Sequence, residues 1–260
     1  MQFAQTSQPP DGCPICQDER QYVGQNGQQW TTLPTLKATH QNRIKQLEDR
    51  LYGIGTEPKF AIGQRALLIQ SNEGNVLWDC VSLIDDTTIE RVRELGGISA
   101  IAISHPHYYA SAVEWAITFD APLYLHAADR QWAMRPHPCI QFWEEETLPL
   151  QSDISLIRAG GHFKGGTVCH WATGTGGVGA LLTGDVIQVV ADKRWVSFMY
   201  SYPNYIPLSP AKVEHIVASV QPYKFDRLYG AWWDAVVQTD AKGSIERSAR
   251  RYIKAIRETP

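Results

Sequence analysis

Past residue 57 the chain is a series of short apolar runs broken by glycine and polar turns. KFAIG (59–63), RALLIQS (65–71) and NVLWDC (75–80) read as consecutive strands, with Asn72-Glu73-Gly74 as a tight turn. From about Asp86 to Leu95 the apolar spacing becomes helical and stops at Gly96-Gly97. ISAIAIS (98–104) is a buried strand, followed by a helix over about 110–119 and the strand PLYLH (122–126). Further strands are predicted at ISLIRAG, TVCHWAT, GALLTGD and FDRLYG, with helices over 209–219 and 240–257. Upstream, Leu36, Ile44, Leu47 and Leu51 recur at roughly helical spacing, so a helix is predicted from Pro34 to Leu51, ended by Gly53 and Gly55. Residues 1–12 read as a loose polar tail and 13–34 as an irregular lead-in. Strands in meander come first, and strands and helices then alternate. That order predicts a mixed α/β (α+β) chain layered as an α/β/β/α sandwich, not a doubly wound parallel sheet.

Composition narrows the function classes. Hydrophobic residues make up 43% of the 260 and charged residues 20%, as in ordinary soluble globular proteins. The net charge is -3 and the basic residues are scattered, which gives no footprint for nucleic acid. No run of 18 apolar residues suggests a membrane span. The opening MQFAQTSQPPDGCPIC does not read as a secretory signal, so a cytoplasmic location is expected. The expected partner is a small molecule, with no nucleic acid or membrane; self-association into a homo-oligomer stays open.

Four pieces carry candidate chemistry. His105-Pro106-His107 follows a buried strand; in extended backbone, residues i and i+2 face the same way, so two imidazoles can reach one ion. His162 lies in the Gly-rich loop GGHFKGGTV between two predicted strands. Asp185 ends the strand LLTGD, and LYGAWWD (228–234) follows another strand. Each alone is weak: a lone HxH is most often two ordinary histidines, and a strand-end Asp is more often a turn residue.

In order and spacing together, these pieces resemble the metallo-β-lactamase superfamily over roughly residues 57–235. The resemblance implies a four-layer αββα fold, with residues 1–55 as an N-terminal extension carrying a helix and 56–260 as the main domain. The family's HxHxDH motif here reads His105, Pro106, His107, Tyr108, Tyr109, Ala110. The family's three-histidine metal site is matched by His105, His107 and His162, and its bridging carboxylate by Asp185. The second metal's own ligands are replaced: Tyr109, Ala110 and Trp232 stand at those positions. The implied cofactor is therefore one zinc, and the implied activity hydrolysis of a small ester, thioester or lactone. In that reading Asp185 orients a water or accepts its proton, and Tyr108 or Tyr109 stabilises an oxyanion or protonates a leaving group. Trp232, with His126 and Asp129 from YLHAADRQW (124–132), would line the substrate pocket. The alternative is a non-catalytic binding protein with a vestigial site, plugged by Tyr109 and Trp232.

Cys13-Pro14-Ile15-Cys16 stands apart from this. The five cysteines are an odd number, which argues against a disulfide framework. The CPIC spacing fits a structural zinc held by Cys13 and Cys16 with further ligands such as Cys80; it also fits buried thiols or redox chemistry.

Overall fold

A computed structural model describes residues 3–257. The chain forms two compact units: residues up to Leu125 with Asp129–Phe142, and His126–Ala128 with Trp143 onward. Among the described residues no helix is long and apolar enough to cross a membrane.

The first unit opens with two short helices, α1 (Pro14–Gln17) and α2 (Leu33–Lys37), the second capped by Thr32, whose hydroxyl accepts the Thr35 amide. A seven-stranded sheet follows in the order β1 (Gln41–Glu48), β2 (Leu51–Glu57), β3 (Arg65–Ile69), β4 (Val76–Trp78), β5 (Ala100–Ala102), β6 (Leu123–His126) and β7 (Ile140–Trp143). β1 to β4 are antiparallel neighbours, whereas β4, β5 and β6 run parallel. The parallel steps need crossovers, and α3 (Asp86–Glu94) and α4 (Ala112–Phe119) supply them. Helix α3 starts where the Asp85 carboxylate accepts the Thr88 amide at 2.7 Å, and Gly96 and Gly97, both at positive φ, follow its end. Strands β3, β4 and β5 are buried at every position, as their unbroken apolar runs require.

Two sequence expectations are corrected here. Residues 41–48 are a strand, not the second half of a helix. Ile44 and Leu47 satisfy a helical period, but a hairpin through Arg50 at φ 63 pairs this segment with Leu51–Glu57 instead, and Thr56 donates to Asn42 across the pair. Cross-strand pairing decided between two readings that local spacing could not separate. KFAIG is a turn, closed by the Gly63 amide on the Phe60 carbonyl at 2.9 Å. The β1–β2 hairpin is hydrogen-bonded to β3, so the sheet runs continuously across residue 55.

The second unit holds a six-stranded sheet made of β8 (Thr147–Gln151), β9 (Ile154–Arg158), β10 (Thr167–Trp171), β11 (Ala180–Gly184), β16 (Arg227–Gly230) and β17 (Val236–Val237), with the short helix α5 (Gly174–Gly177) before β11. Two small hairpins intervene, β12 (Gln188–Val189) with β13 (Val196–Ser197) and β14 (Met199–Ser201) with β15 (Ile206–Pro207). Helices α6 (Pro210–Val220) and α7 (Ala241–Arg257) complete the unit. Ile157, Val168, Leu181 and Leu228 from the strands join Val213, Ile216 and Ile245 from the helices in one buried core. Each such side chain contributes about 1.5–3 kcal/mol on burial, so this core fixes the strand ends that carry site residues.

Candidate metal centre

His105 and His107 come from the end of β5 in the first unit. His105 is extended (φ -171, ψ 170) and caps a single 3-10 turn, Pro106–Tyr108, closed by the Tyr108 amide on the His105 carbonyl at 3.1 Å. The expected extended HxH is therefore replaced by a tight turn. Pro106 at its first position explains why, since its fixed φ suits a helical start. The two rings still approach, with centroids 5.0 Å apart and an interplanar angle of 72°. Tyr108 is fully buried, its ring 4.4 Å from that of His105.

Two residues that the sequence reading missed hold this turn. Asp79, just past β4, is buried at φ 60, and its carboxylate accepts the Ser104 amide at 2.7 Å. The Asp79 amide in turn donates to the Ala102 carbonyl at 2.8 Å. Ser104 Oγ lies 2.9 Å from His105 Nδ1. That contact orients the ring. The available signal was a lone acid closing the apolar run NVLWDC.

His162 and Asp185 belong to the second unit. Gly160 and Gly161, at φ 66 and 81, turn the chain after β9, and the Ala159 and Gly160 amides both bond the Gly166 carbonyl at 2.8 Å. At φ 81 Gly161 holds a conformation that favours glycine, and a Cβ there would stand 2.7 Å from Ile216 Cδ1, so that side-chain end would have to shift. His162 Nδ1 donates to the Tyr200 carbonyl at 2.8 Å, which fixes the Nδ1–H tautomer. Asp185 follows β11 directly, and its carbonyl accepts the Tyr202 hydroxyl at 2.8 Å. The Tyr202 ring lies 5.5 Å from that of His162. Burial, then the Asp185 charge, pushes the Tyr202 phenol well above its ordinary value, so it stays a donor. No sequence signal marked Tyr202 or the β14–β15 hairpin that supplies both contacts.

One donor atom from each of His105, His107, His162 and Asp185 lies within 4.8 Å of the others. Donors sharing a tetrahedral ion at about 2.0–2.1 Å stand roughly 3.4 Å apart. Three imidazoles and a carboxylate are suitable zinc ligands, and all four residues are largely buried.

The chain belongs to the metallo-beta-lactamase superfamily. The family's sequence model matches residues 62–230. A Bacillus subtilis (strain 168) relative, "Uncharacterized protein YmaE", is 55% identical over 258 residues, covering 98% of this chain and 94% of its own. The DIM-1 metallo-beta-lactamase superposes with a TM-score of 0.61 at 10% identity, covering 83% of this chain and 98% of that one. FIM-1 from Pseudomonas aeruginosa, solved in a mono-zinc form, gives 0.60 at 15%, covering 84% and 97%. These two likenesses establish the metallo-β-lactamase fold.

The remaining candidates are not members of the four-residue set. Tyr109 borders a small apolar cavity with Val113, Leu123, Leu125 and Met134. Burial, then the charge of Asp129, pushes its phenol well above the ordinary value. Asp129 itself is buried in a 3-10 segment. His126 is buried edge-on to Trp143 at 4.5 Å and accepts the Ala128 amide on Nδ1; burial lowers its pKa. Trp232 is half-buried and packs against the core of the second unit. Cys80 is a buried thiol raised well above its ordinary pKa by burial and then by Asp79. Among the described residues the His105, His107, His162 and Asp185 set is the one group of three or more such side chains able to hold an ion, so Cys80 is not gathered with Cys13 and Cys16.

Proposed function

We propose that this member is a metal-dependent hydrolase with one zinc ion held by His105, His107 and His162, with the Asp185 carboxylate as a fourth donor that gives way to water, acting on a small ester, thioester or lactone. The observation that carries the reading is the convergence of those four donors within 4.8 Å; in the motif alignment that the resemblance implies, Tyr109, Ala110 and Trp232 stand where the second metal's ligands would be. A zinc ion held there supplies Lewis acidity, polarising a carbonyl and bringing the pKa of a water toward about 7.

The chain's own residues do the rest. The Asp185 carboxylate accepts the proton of an attacking water, and the Tyr202 hydroxyl anchors the backbone that carries it. His162 is held in one tautomer by the Tyr200 carbonyl, and His105 is steadied by Ser104. Tyr108 packs on His105 and keeps bulk water from it. Tyr109 stays protonated, so toward a substrate its hydroxyl acts only as a hydrogen-bond donor, at an oxyanion or a leaving group.

The test is hydrolysis of a panel of p-nitrophenyl esters, acyl thioesters and lactones by zinc-loaded protein and by Asp185→Asn. The proposal expects turnover with at least one class and a loss of roughly 10²-fold or more in the variant. The second reading, a binding protein without turnover, is favoured by the packing of Tyr109 and Trp232 against apolar neighbours. It expects saturable ligand binding and no hydrolysis of any class.

A further inference from the structure

The β14–β15 hairpin is tied down at its base and bare at its tip. Its Met199 and Tyr200 carbonyls lie 3.2 and 2.8 Å from His162 Nδ1. Ser201 is buried, and its Oγ accepts the Asn204 side-chain amide at 3.3 Å. The Tyr202 hydroxyl reaches the Asp185 carbonyl, and just past β15 the Leu208 amide donates to the Tyr252 hydroxyl of α7 at 2.7 Å. Residues 202–205 form the connecting turn, closed by the Tyr205 amide on the Tyr202 carbonyl at 3.3 Å. Beyond these anchors apolar surface is left open: Tyr205 is 84% exposed and Ile206 36%. Among the described residues no large hydrophobic side chain is more exposed than Tyr205. Its φ is 54, in the left-handed region that a bulky aromatic residue rarely adopts. Strained positions of this kind cluster at ligand clamps. A turn of four residues keeps its first and last Cα atoms within about 7 Å. Tyr205 therefore starts close to Tyr202, whose own ring lies 5.5 Å from that of His162.

A single exposed aromatic is ordinary on a protein surface. One at a strained turn, on a hairpin bonded to two residues of a metal centre, is placed to meet what that centre binds. We propose that Tyr205, with Ile206 beside it, is a specificity-determining residue that packs on an apolar chain or ring of the substrate while the substrate's carbonyl end lies at His162 and Asp185. The inference rests on the hydrolase reading and narrows its substrate class to esters, thioesters or lactones that carry an apolar group of several carbons. Tyrosine suits this part, because it offers a large, rigid contact surface with only two side-chain torsions to order. The contact is with the ring face, so the hydroxyl is dispensable.

The experiment compares acetohydroxamate with octanohydroxamate, one zinc-binding head without and with an apolar tail, on zinc-loaded full-length protein by calorimetry. Wild type is expected to bind the octanoyl probe about 10-fold more tightly or better, as burial of two methylenes already provides. Tyr205→Ala is expected to lose most of that preference and Tyr205→Phe to keep it. Tyr205→Gly, which suits φ 54, removes the ring without strain and is expected to match Tyr205→Ala. Zinc content shows that each variant keeps its centre. Hydrolysis of p-nitrophenyl acetate and octanoate is measured alongside. Absence of turnover with both esters would remove the hydrolase reading, and the hydroxamate comparison would still decide what Tyr205 does. Equal affinity for the two probes in wild type, no binding of either, or a preference unchanged in Tyr205→Ala and Tyr205→Gly overturns the proposal. So does a wild-type dimer that Tyr205→Ala dissociates with the preference intact, which would make the tip a contact between copies of the chain.

Discussion

The Tyr202 hydroxyl donates to the Asp185 backbone carbonyl at 2.8 Å, tying the β14–β15 hairpin to the residue that ends β11. The same hairpin accepts the His162 Nδ1 proton through the Tyr200 carbonyl. One short hairpin thus orients two of the four proposed ligands. Tyr202→Phe keeps the ring and removes the donor, and it is expected to weaken zinc binding about 10-fold, as outer-shell changes do. Competition with a chelator of known affinity measures this without reference to turnover. An unchanged zinc affinity would show that the hairpin packs beside the site without positioning it.

Asp79 plays the corresponding part for His105. Its carboxylate holds the Ser104 amide in a buried setting, and its backbone is at φ 60. Asp79→Ala leaves a buried amide without its acceptor and is expected to cost about 1–3 kcal/mol in denaturant unfolding. Asparagine retains an acceptor oxygen and tolerates the left-handed region, so Asp79→Asn should recover most of that loss. Equal losses in the two variants would mean that the charge, not the hydrogen bond, matters.

Gly161 couples the core to the His162 loop. Alanine there meets φ 81 and an approach of 2.7 Å to Ile216 Cδ1. Gly161→Ala should destabilise the protein by about 1–3 kcal/mol. It should also lower zinc affinity, because the loop cannot relax without moving His162. Wild-type affinity alongside reduced stability would separate the loop's packing from its role at the site.

The acid side of the stability profile has a named contributor away from the metal centre. His170 is buried in β10, its Nε2 proton bonded to the Lys224 carbonyl at 2.9 Å, and burial lowers its pKa below the ordinary 6.5. The folded state therefore binds fewer protons than the unfolded chain as pH falls below 6.5. The associated stability is present in full above that value and is lost progressively as pH drops through 6.5 toward the folded pKa. His126 shifts in the same direction for the same reason. Unfolding free energies from pH 7.5 to 5.5 should fall in wild type and fall less steeply in His170→Gln. Parallel slopes would assign the acid lability elsewhere.

What the sequence showed was set by how local each signal is. The crossovers β4–α3–β5 and β5–α4–β6 and the helices α6 and α7 follow from apolar period and from caps such as Asp85, and they appear close to the predicted positions. The hairpin β1–β2 was hidden because Ile44, Leu47 and Leu51 fit a helical period as well as a strand pair, and only pairing with β3 distinguishes them. At the candidate site, His105, His107, His162 and Asp185 were legible because each ends an apolar run or sits among glycines. Asp79 and Tyr202 act through hydrogen bonds to backbone atoms 25 and 17 residues away, and such contacts leave no mark on spacing. Ser104 reaches the adjacent His105 ring, and a serine before a histidine carries no signal of its own. The 3-10 turn at Pro106 replaced an extended motif for a local reason that the proline itself supplied.

The most direct test of the single-ion centre is elemental analysis of protein purified without chelator or nickel affinity resin and equilibrated with zinc, for wild type and His107→Ala. The account predicts about one zinc per wild-type chain. In His107→Ala that zinc should be lost or held far more weakly, with the fold retained by circular dichroism. Zinc-free wild type, or zinc content unchanged in His107→Ala, would contradict it.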